Sequence, residues 1–160
     1  MDFEDYVAAR GRALERYAFV LSGDAHTAQD LVQTALLKAY RHWRSVLRAD
    51  HPDAYVRRIV TTSFLDWRRR RGEEPLAQVP DQGQAPDPAD GVVRRDELTR
   101  ALGSLTPHQR AVLVLRHYEG YDDGAIAAVL GCGEGTVRTH ASRGLDRLRR
   151  ALVDLEESQP

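Results

Sequence analysis

Apolar residues recur along most of this chain at the three- and four-residue spacing of helices, and no segment alternates apolar and polar positions as a strand would. Over residues 2–21 the apolar positions are Phe3, Tyr6, Val7, Leu14, Tyr17, Ala18 and Leu21. Ser22-Gly23-Asp24 then supplies a glycine stop and a carboxylate cap for the next helix. Residues 24–47 carry the strongest pattern: Ala28, Leu31, Val32, Ala35, Leu36, Ala39, Tyr40, Trp43 and Leu47 form one stripe and predict one continuous helix. Its other face holds Asp30, Gln33, Thr34, Leu37, Arg41 and Arg44. A face of this kind is ordinarily solvated, and Leu37 in its middle favours a partner surface instead.

Residues 50–53, Asp-His-Pro-Asp, break that helix and can cap another. Residues 53–70 put Val56, Ile59, Val60, Phe64 and Trp67 on one face, with Arg57, Arg58, Thr61, Thr62 and Leu65 elsewhere. The segment ends in four arginines, 68–71, which suit either a solvated helix end or a phosphate backbone. Periodicity then stops. Residues 72–91 contain four prolines, three glycines and no base, which predicts a flexible acidic linker between two helical domains, 1–71 and 92–160. The expected fold is therefore all-α.

In the second domain Val93, Leu98, Ala101, Leu102 and Leu105 mark a short helix that stops at Gly103-Ser104. Thr106-Pro107-His108-Gln109 is a strong helix start, with threonine as cap, proline at the first position and glutamine at the third. That helix is expected to run to Gly120. Residues 121–150, YDDGAIAAVLGCGEGTVRTHASRGLDRLRR, then read as helix, tight turn, helix. Ile126, Val129 and Leu130 face inward, small Ala127 allows close approach, Gly131 ends the first helix, and Gly133 and Gly135 permit the turn. The second helix is expected to bury Val137, Ala141, Leu145, Leu148 and Leu152, and to expose Arg138, Thr139, Ser142, Arg143 and Arg147.

Such a layout is that of a helix-turn-helix, whose second helix lies in the DNA major groove. An arginine near the start of that helix can fork onto O6 and N7 of guanine, and Thr and Ser reach base edges or thymine methyls. Arginines further along suit phosphates. A two-helix hairpin with a basic outer face would give the same pattern without DNA.

Charge changes the picture only when divided along the chain. Taken alone, the net charge of −1 argues against nucleic acid. Residues 1–71, however, hold 13 Lys and Arg against 9 Asp and Glu, residues 72–91 hold 5 acids and no base, and residues 92–160 hold 10 of each. The single cysteine, Cys132, excludes an internal disulfide and fits a reducing compartment. In the turn it reads as a small, partly buried residue. The chain shows no basic-then-apolar leader, and its longest aliphatic run, residues 111–115, is too short for a membrane span, so a cytoplasmic protein without membrane association is expected. His26, His42, His51, His108, His117 and His140 share no metal-ligand spacing, and no phosphate loop or nucleophile elbow is present. No enzyme activity, metal or cofactor is expected.

Taken together, the two halves resemble the extracytoplasmic-function sigma factors of bacterial RNA polymerase, of the short actinobacterial type. GDAHTAQDLVQTALLKAYRHW (23–43) looks like the conserved region 2 helix, and AYVRRIVTTSFLDWRRRR (54–71) is similar to the promoter-melting helix. SLTPHQRAVLVLRHYEGY (104–121) and GTVRTHASRGLDRLR (135–149) look like regions 4.1 and 4.2. The resemblance covers nearly the whole chain. It implies a factor that binds core polymerase through its β′ and β subunits and directs it to promoter DNA. An anti-sigma factor is a further partner that the resemblance leaves room for.

By position, Asp30, Gln33, Thr34, Leu37 and Arg41 match the face that docks on the β′ coiled coil. Asp50, His51 and Asp53, with Arg57, Arg58 and Thr62, match the zone that engages the −10 element and holds a flipped base. Arg138, Thr139 and Ser142 match base-reading positions for the −35 element, with Thr136, His140, Arg143 and Arg147 at or near phosphates. The acidic linker corresponds to the segment that passes through the polymerase cleft. Thr62, Ala125, Gly133-Glu134 and His140 depart from the residues most usual in the family. The alternative from the residues alone is a stand-alone regulator resembling the LuxR-type domain, with a sensing or dimerising first half.

Overall fold

The computed structural model describes residues 1–49, 52–72 and 89–158, with only the backbone given for residues 89–94. Its regular elements are all helical: α1 (Phe3–Ser22), α2 (Ala25–Arg41), α3 (Trp43–Arg48), α4 (Pro52–Arg70), α5 (Ala89–Gly103), α6 (Pro107–Leu113), α7 (Asp123–Leu130) and α8 (Glu134–Glu157). A π-helical turn, Val114–Tyr118, continues α6. The chain forms two compact units, with α1–α4 in the first and α5, α6, most of α7 and α8 in the second.

Short polar signals set the helix ends of the first unit. Asp2 Oδ1 accepts from the Asp5 amide at 2.8 Å and starts α1. At the other end Gly23 takes φ 75°, and its amide reaches the Phe19 carbonyl at 2.7 Å. A side chain there would cost about 1 kcal/mol or more in the left-handed region. Asp24 caps α2 by accepting from both the amide (2.9 Å) and the hydroxyl (2.8 Å) of Thr27, which holds its carboxyl below the usual range. The core joins Leu14, Tyr17 and Leu21 of α1, Val32, Ala35 and Ala39 of α2, Val46 of α3, and Val56, Val60 and Phe64 of α4. Ala35 and Ala39 are fully buried, and their small size lets α1 and α2 approach closely.

One feature of this unit differs from the hydrophobic pattern. The helix expected over residues 24–47 divides at His42, which adopts φ −121° and ψ 30°. The break turns Val46 into the core and stands Trp43 against Phe3 and Tyr6, with ring centroids 5.5 and 5.3 Å apart. Tyr40 and Leu47, expected in the stripe, are instead 61% and 42% exposed. Asp50 and His51 lie outside the described residues, and α4 begins at Pro52.

In the second unit α5 begins at Ala89, inside the span expected as linker, and residues 73–88 are outside the description. Ala101, Leu102 and Leu105 are buried as expected, but Leu98 is 46% exposed. Thr106 and Gln109 form a full capping box at the start of α6, each side chain bonded to the other's amide at 3.2 Å. The expected single helix to Gly120 changes character at Val114. The Glu119 amide bonds the Val114 carbonyl at 3.1 Å, five residues back, which widens the turn by one residue. α8 packs against α6 at Gly144. A β-carbon there would stand 3.1 Å from Leu113 Cδ1 and 3.3 Å from Gln109 Cβ.

Candidate functional site

Three surfaces carry the residues singled out in the sequence. On α2, Asp30, Gln33, Thr34, Leu37 and Arg41 are all exposed and share the side opposite Leu31, Val32, Ala35 and Ala39. Leu37 is 53% exposed, an apolar residue in the centre of a polar face. Tyr40 adjoins this face, and its ring meets Phe3 edge-on at 5.1 Å. The stripe had assigned Tyr40 to the core. The helix break at His42, which no glycine or proline announces, takes the end of α2 out of it.

On α4 the named residues fall into two groups. Arg57 is buried and ion-paired with Asp53, and its guanidinium lies 5.9 Å from the ring centroid of Tyr17. Asp53 also accepts from the Tyr6 hydroxyl at 3.0 Å. Burial, and then the nearby carboxylate, push the Tyr6 phenol above its ordinary range. Asp53 and Arg57 thus tie the start of α4 to α1. Arg58 is exposed and Thr62 half-buried one turn on. The Thr62 hydroxyl donates to the Arg58 and Ile59 carbonyls at 3.0 and 3.1 Å. Arg69, Arg70 and Arg71 are exposed at the end of α4, with Arg71 5.2 Å from the ring centroid of Trp67. Arg68 is buried, which lowers its pKa.

The third surface is the pair α7–α8. Asp122 opens α7 by accepting from the Ala125 amide at 2.8 Å. Gly131 closes it at φ 67°, and the Cys132 amide reaches back to the Ala127 carbonyl at 3.1 Å. Of the three glycines expected to shape the turn, only Gly131 uses the left-handed region. Gly133 has φ −82° and precedes α8, and Gly135 lies within it. Val137, Ala141 and Gly144 are the buried positions of α8, while Leu145, Leu148 and Leu152 are half-buried. Thr136, Arg138, Thr139, Ser142, Arg143 and Arg147 are exposed. His140 is half-buried and stacked on His108, with ring centroids 5.5 Å apart and planes at 24°. Burial first, then His108 and Arg143, lower its pKa.

Between the start of α7 and the outer face of α8 lies an open depression of about 990 Å³. Glu134, Arg138 and Ser142 line one wall, and Asp122, Asp123 and Gly124 the other. Asp123 is ion-paired with Arg116 of the π-helical turn. Among the described residues no group of three or more His, Cys, Asp or Glu could hold a metal, and no helix is long and apolar enough to cross a membrane.

A four-helix unit followed by a unit ending in a helix-turn-helix with an arginine-rich outer face defines a DNA-binding class of protein. Residues 6–74 match Sigma-70 region 2, and residues 95–148 match Sigma-70, region 4. The RNA polymerase sigma-E factor of Streptomyces coelicolor is 39% identical over 155 residues, spanning 96% of this chain and 87% of that protein. The ECF RNA polymerase sigma factor SigL of Mycobacterium tuberculosis is 32% identical over 149 residues, spanning 89% of this chain and 84% of its own. Among solved structures, the sigma factor RpoE from Bartonella quintana, crystallised with the anti-sigma factor NepR, superposes with a TM-score of 0.73 at 28% identity. That likeness covers 94% of this chain and 96% of the other. The chain belongs to the extracytoplasmic-function sigma factors of RNA polymerase, of actinobacterial type. It directs RNA polymerase in transcription initiation. The match of residues 6–74 to Sigma-70 region 2 favours this reading over a stand-alone regulator.

Proposed function

We propose that this sigma factor docks on core polymerase through the outer face of α2 and grips promoter DNA at two places. The observation that carries the docking reading is the exposed row Asp30, Gln33, Thr34, Leu37 and Arg41, with Leu37 at its centre. A partially exposed leucine ringed by polar and charged groups is the composition of an interface centre with its rim. The partner is the β′ coiled coil of core polymerase, and the β subunit receives the second unit.

At the −10 element, Arg58 and Thr62 are the groups available to strand and base, with Asp50 and His51 just before them in the chain. Asp53 and Arg57 act by holding the start of α4 against α1. Capturing an unstacked base costs a few kcal/mol, offset by contacts to its edge. At the −35 element Arg138, Thr139 and Ser142 read bases, while Thr136, His140, Arg143 and Arg147 meet phosphates. A protein inhibitor of the anti-sigma kind is a further partner, supported by the likeness to the Bartonella factor that was crystallised with one.

The test is run-off transcription with purified core polymerase, beside direct measurement of core affinity. The chain alone should bind promoter duplex poorly and initiate only with core present. Gln33→Ala with Leu37→Ala should weaken core binding about tenfold or more with the helical signal unchanged. An unaltered core affinity would remove α2 from the interface.

A further inference from the structure

We propose that Glu134 is a specificity-determining residue of the helix-turn-helix, accepting a hydrogen bond from the exocyclic amino group of a cytosine in the upstream promoter element. The inference rests on the assignment of α8 to the major groove, and it names a base for a residue outside the arginine, threonine and serine set.

Three carboxylates surround the depression between α7 and α8, and two have structural work. Asp122 caps α7 through the Ala125 amide, and Asp123 is ion-paired with Arg116. Glu134 makes no ion pair among the described residues, is exposed, and is the first residue of α8. Residues at the start of a recognition helix are those that reach base edges. Glu134, Arg138 and Ser142 stand four residues apart on one row and line the same wall. Four residues of helix rise about 6 Å, which spans one to two base steps at about 3.4 Å each.

Chemistry then selects the base. A carboxylate only accepts, and near phosphates it is repelled unless it faces a donor. In the major groove guanine presents two acceptors, and thymine an acceptor and a methyl. Adenine sets the N7 acceptor beside its amino group, so it suits Asn or Gln. Cytosine alone offers a donor without an adjoining acceptor. Arg138 and Glu134 are thus complementary: one seeks the acceptors of guanine, the other the donor of cytosine one or two base pairs away.

Gly124 positions this carboxylate. A β-carbon on residue 124 would stand 2.9 Å from Glu134 Oε1, so the glycine leaves the notch in which the side chain rests on the first turn of α7. Gly124 is not among the glycines with positive φ, so an alanine there is compatible with the backbone and would displace the carboxylate. The competing account is purely structural, because an acid in the first turn stabilises a helix through its dipole.

The experiment uses holoenzyme reconstituted from core polymerase and the full chain. It is run on promoters carrying each of the four bases at every upstream-element position, with duplex affinity read at several salt concentrations. One position should prefer cytosine about tenfold in the unmodified protein. Glu134→Ala should erase that preference alone, and Glu134→Gln should move it toward adenine. Gly124→Ala should weaken the same position only. Uniformly tighter binding by Glu134→Ala on all sequences, with steeper salt dependence, would overturn the proposal in favour of simple phosphate repulsion. Reduced thermal stability with unchanged base preference would overturn it in favour of the helix-dipole role. Arg138→Ala is the reference: if it alters no base preference, α8 does not read the groove, and the parent assignment fails as well.

Discussion

Tyr17 and Thr61 meet hydroxyl to hydroxyl at 2.6 Å in the buried centre of the first unit. The Thr61 hydroxyl donates to the Arg57 carbonyl at 2.8 Å, so its proton is committed and the Tyr17 phenol is the donor between them. Tyr17→Phe should cost about 1 kcal/mol, the net value of one buried hydrogen bond. Thr61→Val removes a donor and an acceptor together and should cost about 1–3 kcal/mol. Trp43 and Trp67, the two tryptophans, both lie in this unit, so intrinsic fluorescence during urea unfolding reads it selectively. No loss of stability in Tyr17→Phe would show that the phenol does not donate to Thr61.

Ser63, two residues after Thr61 on α4, has the opposite problem. Its Oγ is buried without a hydrogen-bond partner. Ser63→Ala should stabilise the first unit by about 0.5–1 kcal/mol, by removing a desolvated hydroxyl and by its better helix propensity. The same fluorescence titration checks this through a higher midpoint at constant slope.

Gly144 gives a contrasting case in the second unit. Alanine is the better helix former by about 1 kcal/mol, yet a β-carbon would press on Leu113 Cδ1 and on Gln109 Cβ. The Leu113 methyl can rotate aside, but Gln109 Cβ is fixed to the backbone of α6. Gly144→Ala should therefore destabilise the unit by about 1 kcal/mol net, seen as an earlier helical transition by circular dichroism with the tryptophan transition unmoved.

His140 predicts a pH dependence of known sign. Burial, His108 and Arg143 lower its pKa, so the folded state prefers the neutral ring. Below its ordinary value of about 6.5 the unfolded chain binds more protons than the folded one, and stability falls with pH. The contribution is complete above about pH 6.5 and is lost as pH drops through the lower, folded value. Thermal unfolding of the second unit at pH 7.5 and 5.5 should differ, and the difference should shrink in His140→Asn. No shrinkage would place the dependence elsewhere than on His140.

Local signals in this chain are complete enough to read without coordinates. Asp24, Gly23, Thr106 and Gln109 each act within four residues, and all perform as their types and spacing imply. The exposed α2 row follows equally from periodicity. What periodicity misses depends on partners far along the chain. The break at His42 has no glycine or proline, and the residues it serves are Phe3 and Tyr6, about forty positions earlier. Arg57 reads as outward by its charge, yet Asp53 and the Tyr17 ring make its burial tolerable. Glu134 was visible only as an unusual residue in the turn. Its two neighbouring acids had to be assigned in three dimensions before it stood apart.

The π-helical turn at Val114–Tyr118 has a consequence for how this chain can change in length. An α-helix advances about 100° per residue, and the Glu119-to-Val114 bond absorbs one residue more than an α-turn holds. Deleting a single residue between 114 and 118 would let an ordinary α-turn close. The segments on either side would stay in phase, because the wide turn holds its extra residue without rotating them, whereas losing Arg116 itself would remove the ion pair to Asp123. A one-codon deletion inside this turn is thus the length change the segment absorbs best, while one within Pro107–Leu113 would rotate every later residue of the helix by about 100°.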